Sequence, residues 1–193
     1  MTGAGRAGAL LVAGTLALAG CATDAGTGAG TGGSTTPAAS PSSTPAPAGT
    51  GTPATTGAVP ETLRFTAATV TGEQFDAATL HGRPVVLWFW AAWCPRCRAA
   101  ADDVARLRQS HADRVHVVGV AGLDSGEDAM REFVTGQGID GFVNLADDKG
   151  EVWRRFGVTS QEYYVLLDAA GKVAYKGTLT PGALRERVAT LAG

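Results

Sequence analysis

Cysteine and histidine are both scarce in this chain of 193 residues, which contains three of each. Zinc sites need four ligands, usually two cysteine pairs or one pair plus histidines at set spacing. Cys94 and Cys97 form the one close pair of cysteines, and the histidines His81, His111 and His116 are scattered over predicted loops and strands. We therefore expect no metal site and no bound cofactor.

A surplus of one charge is also missing, because 16 basic and 18 acidic residues give a net charge of −2. A protein that binds nucleic acid or an anionic membrane surface through its charge needs a basic patch. The composition therefore favours neither kind of partner, and we expect no binding to nucleic acid.

The apolar stretch from Ala7 to Ala19 follows a single basic residue, Arg6. It is shorter than the ~20 residues of a conventional membrane-spanning helix and has the form of a signal-peptide core. We predict a signal peptide over residues 1–20. The four residues from Leu18 to Cys21 resemble the lipobox of bacterial lipoproteins, which implies cleavage before Cys21 and acylation of its sulfur. The alternative is an ordinary signal peptide followed by an unrelated cysteine.

Residues 21–60 are dominated by Gly, Ser, Thr, Ala and Pro and carry almost no charge. Such a segment cannot bury enough apolar surface to offset the entropy of ordering it. We predict a disordered, lipid-anchored linker that holds a folded domain off the outer face of the cell membrane. The remaining residues, 61–193, are enough for one domain that folds without structural disulfides or metals.

The most informative stretch contains the two neighbouring cysteines. Val85 to Trp90 is an unbroken run rich in β-branched and aromatic residues, which is typical of a strand buried on both faces. Pro95 suits the first position of a helix, and helix formers follow it. Cys94 is therefore predicted at a helix N-terminus, where unpaired N–H groups and the helix dipole lower the pKa of a thiol. The positive charge of Arg96 acts in the same direction.

Cys97 lies one helical turn after Cys94. Its sulfur can therefore form a disulfide with Cys94 and can release a partner that Cys94 has attacked. A purely structural bridge is a weaker interpretation, because closing a loop of about four residues contributes only ~2 kcal/mol, against ~4.7 kcal/mol for a loop of about 100 residues. The pair is predicted to be redox-active.

The rest of the domain alternates predicted strands and helices. We predict a strand pair within residues 63–75, a helix after Cys94 that ends near residues 110–113, strands at 115–120 and 142–145, helices at 125–137 and 149–156, a hairpin of 163–167 with 172–176, and a last helix opened by Pro181. The helix near residue 125 is expected to be capped by Ser125 or Asp124. A parallel strand–helix–strand unit followed by a hairpin and a helix is the thioredoxin architecture. The predicted fold class is α/β, a thioredoxin-like fold with a central mixed β-sheet flanked by helices and an N-terminal strand pair.

Several stretches carry a family resemblance. Residues 90–98 (Trp-Ala-Ala-Trp-Cys-Pro-Arg-Cys-Arg), together with 82–87, 117–120, 156–158 and 165–171, resemble membrane-anchored, extracytoplasmic thiol–disulfide oxidoreductases of the TlpA/ResA/DsbE type. The similarity is greatest to the DsbE/DsbF-type proteins of mycobacteria, and it covers nearly all of residues 61–193. It implies a thioredoxin-like fold and a redox-active Cys94–Cys97 pair surrounded by Trp93, Pro95 and Arg96, with Trp93 flanking the reactive sulfur.

At Glu162 the sequence departs from that family, whose members carry a cis-proline facing the cysteine pair at the matching position. A non-proline cis bond costs ~3 kcal/mol, so the bond from Gln161 to Glu162 is predicted to be trans. Either the carboxylate of Glu162 lies beside Cys94 and raises its pKa by like-charge repulsion, or the loop follows another path and alters the substrate groove. A third possibility is an exposed loop residue without a role.

The acids that move protons in related proteins are also missing. Trp88 stands where thioredoxin has a buried Asp, and Ala100 stands where ResA-like proteins have a Glu. Deprotonation of the second cysteine is then left to Asp102, Asp103, Glu162 or water. We predict that Asp102 and Asp103 are solvated charges on the helix surface.

These observations predict thiol–disulfide exchange on exported proteins through a mixed disulfide with Cys94. Cations near this sulfur stabilise the reduced form, so the Cys-Pro-Arg-Cys motif favours a disulfide oxidase. A membrane redox partner of unknown identity would reset the pair. The alternatives are a reductase of the ResA or cytochrome-maturation type, a copper carrier that uses both thiolates, and a non-catalytic display module.

Overall fold

The computed structural model of the protein describes residues 58–193. The predicted signal peptide (1–20), the candidate lipidation residue Cys21 and all of the predicted linker (21–60) before residue 58 lie outside the described residues, so they stay predictions. Within residues 58–193, no helix combines the length and the apolarity needed to cross a membrane.

The described chain contains seven strands, four α-helices and two short 3-10 helices. In chain order the elements are the 3-10 helix Glu61–Leu63, β1 Thr66–Ala68, β2 Gln74–Asp76, the 3-10 helix Ala77–Leu80, β3 Val85–Trp90, α1 Pro95–Ser110, β4 His116–Ala121, α2 Glu127–Gly136, β5 Asn144–Ala146, α3 Glu151–Arg155, β6 Tyr163–Leu167, β7 Val173–Gly177 and α4 Pro181–Ala192.

Five of the strands form one mixed sheet in the order β5-β4-β3-β6-β7, and β1 and β2 form a separate antiparallel pair. The central strand β3 is parallel to β4 and antiparallel to β6. The connection from β3 through α1 to β4 is the parallel strand–helix–strand unit that the sequence predicts, and β6 and β7 form the predicted hairpin. The thioredoxin-like α/β fold is therefore confirmed.

The burial of the central strand explains its unbroken apolar sequence. All six side chains of β3 are fully buried. Val86, Trp88 and Trp90 share one hydrophobic cluster with buried residues of α1, α2 and α4, whereas Leu87 and Phe89 belong to a second cluster that includes buried residues of α3. A strand that is covered on both faces has no polar side to present, and this is why its sequence does not alternate.

The start of α2 differs from the prediction. Gly126, with φ of +77°, is the residue that precedes the helix, and neither Ser125 nor Asp124 caps it. The hydroxyl of Ser125 instead donates to the Gly122 carbonyl (2.6 Å). The carboxylate of Asp148 accepts from the backbone N–H groups of Ser125 (3.0 Å) and Gly126 (2.8 Å). The acceptor for the N–H groups just before α2 therefore comes from a loop 22 residues away in sequence, which local pattern reading does not detect.

Several strands and helices are shorter than predicted, or their ends are shifted. Leu63, predicted at the start of the first strand, lies in a 3-10 helix and is buried at 1% exposure, and β1 begins only at Thr66. The strand predicted at 142–145 runs from Asn144 to Ala146. The short helix α3 spans Glu151–Arg155, and the buried carboxylate of Asp147 accepts from the N–H groups of Glu151 and Trp153 at its start.

Candidate redox site

The two cysteines lie where the sheet passes into the first helix. Cys94 is the residue before α1, with Pro95 at its first position, and its sulfur accepts a hydrogen bond from the backbone N–H of Cys97 (3.0 Å). The two sulfurs form a disulfide, with the Cα atoms 5.3 Å apart. Cys94 and Cys97 are 1% and 0% exposed. The placement at a helix N-terminus is thus the one predicted, and an N–H donor already points at the sulfur that would carry a thiolate charge.

The neighbours of Cys94 along the chain are exposed. Trp93 is 52% exposed, and its indole N–H donates to the Leu123 carbonyl (2.9 Å). Pro95 and Arg96 are also exposed. The outer surface at the disulfide therefore consists of an aromatic ring held by the loop after β4, a proline and a cation.

A groove of about 420 Å³ runs beside Trp93. It lies between the start of α1 and helix α2, and Ala92, Arg98 and Phe133 contribute to its walls. The loop that forms one end is held by Ser125, whose hydroxyl accepts from the Ala92 N–H (3.0 Å). Sequence reasoning missed this groove, because its walls come from segments that are distant in the chain.

Glu162 is buried rather than exposed. Its residue exposure is 9%, which excludes the interpretation as a solvent-exposed loop residue. Its φ is +56°, in the left-handed region that few residues other than glycine adopt. It directly precedes β6, whose Tyr163 pairs with Phe89 of β3, so Glu162 lies at the end of the sheet from which the cysteine segment leaves.

The pKa of the Glu162 carboxyl is raised above its ordinary value because burial disfavours the charged form. A hydrogen bond with the Tyr164 side chain and the positive charge of Arg96 act in the opposite direction. Arg96 stands between the two cysteines in sequence, so its electrostatic effect on Glu162 links this carboxyl to the redox motif.

Tyr164 is the partner that sequence reasoning missed. It is 2% exposed and lies in the same hydrophobic cluster as Cys97 and Trp88. Burial raises the pKa of its phenol, and the negative charges of Glu162 and Asp103 raise it further. A buried tyrosine next to a buried carboxyl would have been detectable only from the burial of Glu162, which the sequence does not indicate.

The two acids of α1 are held by arginines. Asp102 pairs with Arg106 and its side chain is 74% exposed, as expected for a solvated helix-surface charge. The side chain of Asp103 is only 24% exposed, and it pairs with Arg106 (2.9 Å) and with Arg185 of α4 (3.6 Å). Both acids are therefore paired with arginines, and Asp103 is less exposed to solvent than the prediction of a solvated surface charge implies.

The histidines do not converge on the cysteines. His116, at the start of β4, interacts with Arg83, whose Nε lies 3.0 Å from the His116 Nε2. Burial and this guanidinium both lower the pKa of His116. Within residues 58–193, no group of three His, Cys, Asp or Glu side chains is arranged to hold a metal ion.

Trp88 fills the position at which thioredoxin has a buried acid. Its side chain is fully buried, and its indole N–H has no hydrogen-bond partner within the described part of the chain. Ala100, at the other family acid position, is partly buried against the same cluster. Neither an indole nor a methyl side chain can take up or release a proton in this reaction.

A thioredoxin-like sheet with a disulfide at the N-terminus of its first long helix defines the class of thioredoxin-fold thiol–disulfide oxidoreductases. A family model described as Redoxin matches residues 41–189. The chain therefore belongs to the redoxin family.

Individual relatives agree with this assignment. The chain is 41% identical over 115 residues to the soluble secreted antigen MPT53 of Mycobacterium tuberculosis, a match that covers 59% of this chain and 64% of MPT53, just under two thirds of that protein. Among solved structures, it is similar to MTB DsbF in its mixed oxidized and reduced forms (44% identity, TM-score 0.65, covering 69% of this chain and 98% of that chain). It is also similar to a secreted M. tuberculosis disulfide oxidoreductase homologous to E. coli DsbE (36% identity, TM-score 0.62, covering 68% and 98%).

Proposed function

We propose that the protein catalyses thiol–disulfide exchange on exported proteins and acts as an oxidant of their thiols. The observation that carries the proposal is the Cys94–Cys97 disulfide at the start of α1, where the Cys97 N–H donates to the Cys94 sulfur. This donor, the helix dipole and Arg96 all stabilise a Cys94 thiolate. Stabilising the reduced form makes the disulfide a stronger oxidant.

The reaction follows from the placement of the two sulfurs. A substrate thiolate attacks the Cys94 sulfur, forms a mixed disulfide and displaces Cys97, which takes a proton. A second substrate thiolate then attacks the substrate sulfur of the mixed disulfide, forms the substrate disulfide and releases Cys94 as a thiolate. Because Cys94 is 1% exposed in the disulfide state, the incoming thiolate reaches it only after neighbouring atoms move aside.

Oxidation of a reduced, unfolded ribonuclease tests this direction. We expect the wild-type protein to introduce disulfides faster than glutathione disulfide does, and Cys94→Ser to abolish the reaction because it removes the attacked sulfur. Cys97→Ser should also abolish the oxidation, because a lone Cys94 thiol cannot take up two electrons. Offered a substrate that already carries a disulfide, the same variant should accumulate a mixed disulfide at Cys94, since it lacks the thiol that would displace the substrate. A Cys94 thiol with an ordinary pKa, together with rapid reduction of insulin, would instead establish a reductase.

We further propose that Cys21 carries a lipid and holds the domain at the outer face of the cell membrane. The lipobox resemblance supports the lipid anchor, and relatives described as secreted support export alone. We expect Cys21→Ser to move the protein from the membrane fraction to the soluble fraction without changing its exchange rate with glutathione. A membrane fraction of Cys21→Ser equal to that of the wild type would contradict the lipid anchor.

A further inference from the structure

Two acidic side chains are buried within the described residues, and only one of them has backbone donors. Asp147 accepts from the N–H groups of Glu151 (2.8 Å) and Trp153 (2.9 Å), so its charge is compensated at the start of α3. No backbone N–H within residues 58–193 donates to the carboxyl of Glu162, which is 9% exposed and directly precedes β6 with its buried Tyr164. A buried carboxyl without backbone donors changes its protonation more readily than a capped one.

The charged and titratable groups around Glu162 come from two elements. Tyr164 of β6 and the positive charge of Arg96 of α1 both act to lower the pKa of the carboxyl. Asp103 of α1 acts on Tyr164 and is itself paired with Arg185 of α4. The positive charge that acts on the carboxyl therefore comes from an exposed residue of the cysteine motif.

Reduction changes the charge at this end of the sheet. The disulfide is neutral, whereas the reduced pair carries a Cys94 thiolate if the helix N-terminus has lowered the pKa of that sulfur. A thiolate and a carboxylate in a poorly solvated site repel each other, so the two groups titrate as a coupled pair. Arg96 can compensate one of these negative charges but not both.

We propose that the Glu162 carboxylate takes up a proton when the Cys94–Cys97 disulfide is reduced, so that the site stores a proton together with the electron pair. This inference rests on the exchange reaction proposed above. It gives Glu162, the buried acid at the position of the family's proline, a role in the proton balance of the reaction.

The balanced step shows what Glu162 contributes. The protein disulfide, two substrate thiols and the Glu162 carboxylate give the Cys94 thiolate, the Cys97 thiol, the Glu162 carboxylic acid and the substrate disulfide. One S–S bond breaks, one forms, and two electrons pass to the protein. Of the two substrate protons, one goes to Cys97 and one to Glu162, so none is released to the solvent.

The equilibrium with glutathione between pH 5.5 and 7.5 measures this proton. In Glu162→Gln the second proton is released, so the constant for reduction of the protein by glutathione should rise about tenfold per pH unit, or about 100-fold over the range. In the wild type the same constant should change by less than about threefold. The variant keeps the size and hydrogen-bonding capacity of the side chain, and its far-ultraviolet circular dichroism checks that it is folded.

Two further variants separate the carboxyl from its surroundings. Glu162→Asp keeps an acid at the site and should restore the weak pH dependence of the wild type. Asp102→Asn removes an exposed carboxylate from the helix that carries the cysteines, and it should leave the pH dependence unchanged.

The possible failures are distinguishable. Equal pH dependences in the wild type and Glu162→Gln, with both proteins exchanging with glutathione, would overturn the proton storage and leave the proposed function intact. Failure of the wild type to exchange with glutathione at any pH would overturn both.

Discussion

Glu162 combines two unfavourable features in one residue. It has φ of +56°, a conformation that costs about 1–3 kcal/mol for a residue other than glycine, and it places a carboxyl at 9% exposure. Such features persist where the surrounding structure enforces them and are concentrated at functional sites. Glu162 lies at the end of the sheet from which the cysteine segment leaves.

The stability of the oxidised protein should reveal the burial of Glu162. Burial raises its pKa in the folded state, so the folded protein binds more protons than the unfolded chain above the ordinary pKa of 4.5. Stability contributed by the protonated acid is therefore lost as pH rises from that value through the folded pKa. We expect Glu162→Gln to raise the melting temperature at pH 7.5 and to change it little at pH 4. A lower melting temperature than the wild type at pH 7.5 would contradict this assignment.

At the residue scale, the sequence predicts the parts of the site that depend on local chemistry. Cys94 and Cys97 are identifiable because their spacing, the preceding strand and Pro95 all act within one short segment. The environment of Glu162 depends on Tyr164 and on Arg96, which is 66 positions away in the sequence. No local pattern brings that cation to the carboxyl.

Two glycines illustrate how elements constrain each other. Gly119 of β4 pairs with Trp88 of β3, and a Cβ atom there would overlap the Asn144 side chain and approach the Trp90 indole nitrogen to 2.7 Å. Those two groups form a buried hydrogen bond of 3.2 Å across the sheet. Gly136, at the end of α2, has nothing within 4 Å of a Cβ atom.

Alanine substitution at these glycines should therefore have opposite effects. Gly119→Ala should lower the free energy of unfolding by about 1–3 kcal/mol, because it overpacks the sheet and disturbs the Trp90 to Asn144 bond. Gly136→Ala should raise it by about 0.5–1 kcal/mol through helix propensity. Urea unfolding monitored by tryptophan fluorescence measures both. Equal shifts in the same direction would show that the space around Gly119 is not limiting.

At the element scale, strands and helices whose own sequence marks their ends are predicted with the correct limits, and those whose ends depend on other segments are not. β3 and α1 have the predicted limits because burial on both faces and Pro95 act on the elements themselves. The predicted start of α2 is wrong. The helix follows Gly126, whose N–H donates to the Asp148 carboxylate of another loop. The first strand is shorter than predicted because Leu63 lies in a 3-10 helix, where its side chain is buried.

At the scale of the whole domain, the N-terminal residues and the disulfide lie at opposite ends of the central strand. Val85 pairs with Leu167, next to the turn before β7, and the hydroxyl of Thr62 donates to the Gly171 carbonyl in that turn (2.6 Å). Cys94 follows the other end of β3, about 20 Å away for a strand of this length. The first described residues therefore lie at the end of the sheet opposite the disulfide.

This separation predicts that stability and exchange respond differently to truncation. A chain starting at Phe65 loses Leu63, which is 1% exposed, and the bond from Thr62 to Gly171. Its free energy of unfolding should be about 2–4 kcal/mol lower than that of a chain starting at Ala58, because apolar burial and this hydrogen bond are lost. The rates at which the two chains exchange with glutathione should agree at temperatures where both are folded, because the missing residues lie far from Cys94. Equal urea midpoints would show that the 3-10 helix Glu61–Leu63 is not part of the folding unit, whereas slower exchange by the shorter folded chain would show that the two ends of the sheet are coupled.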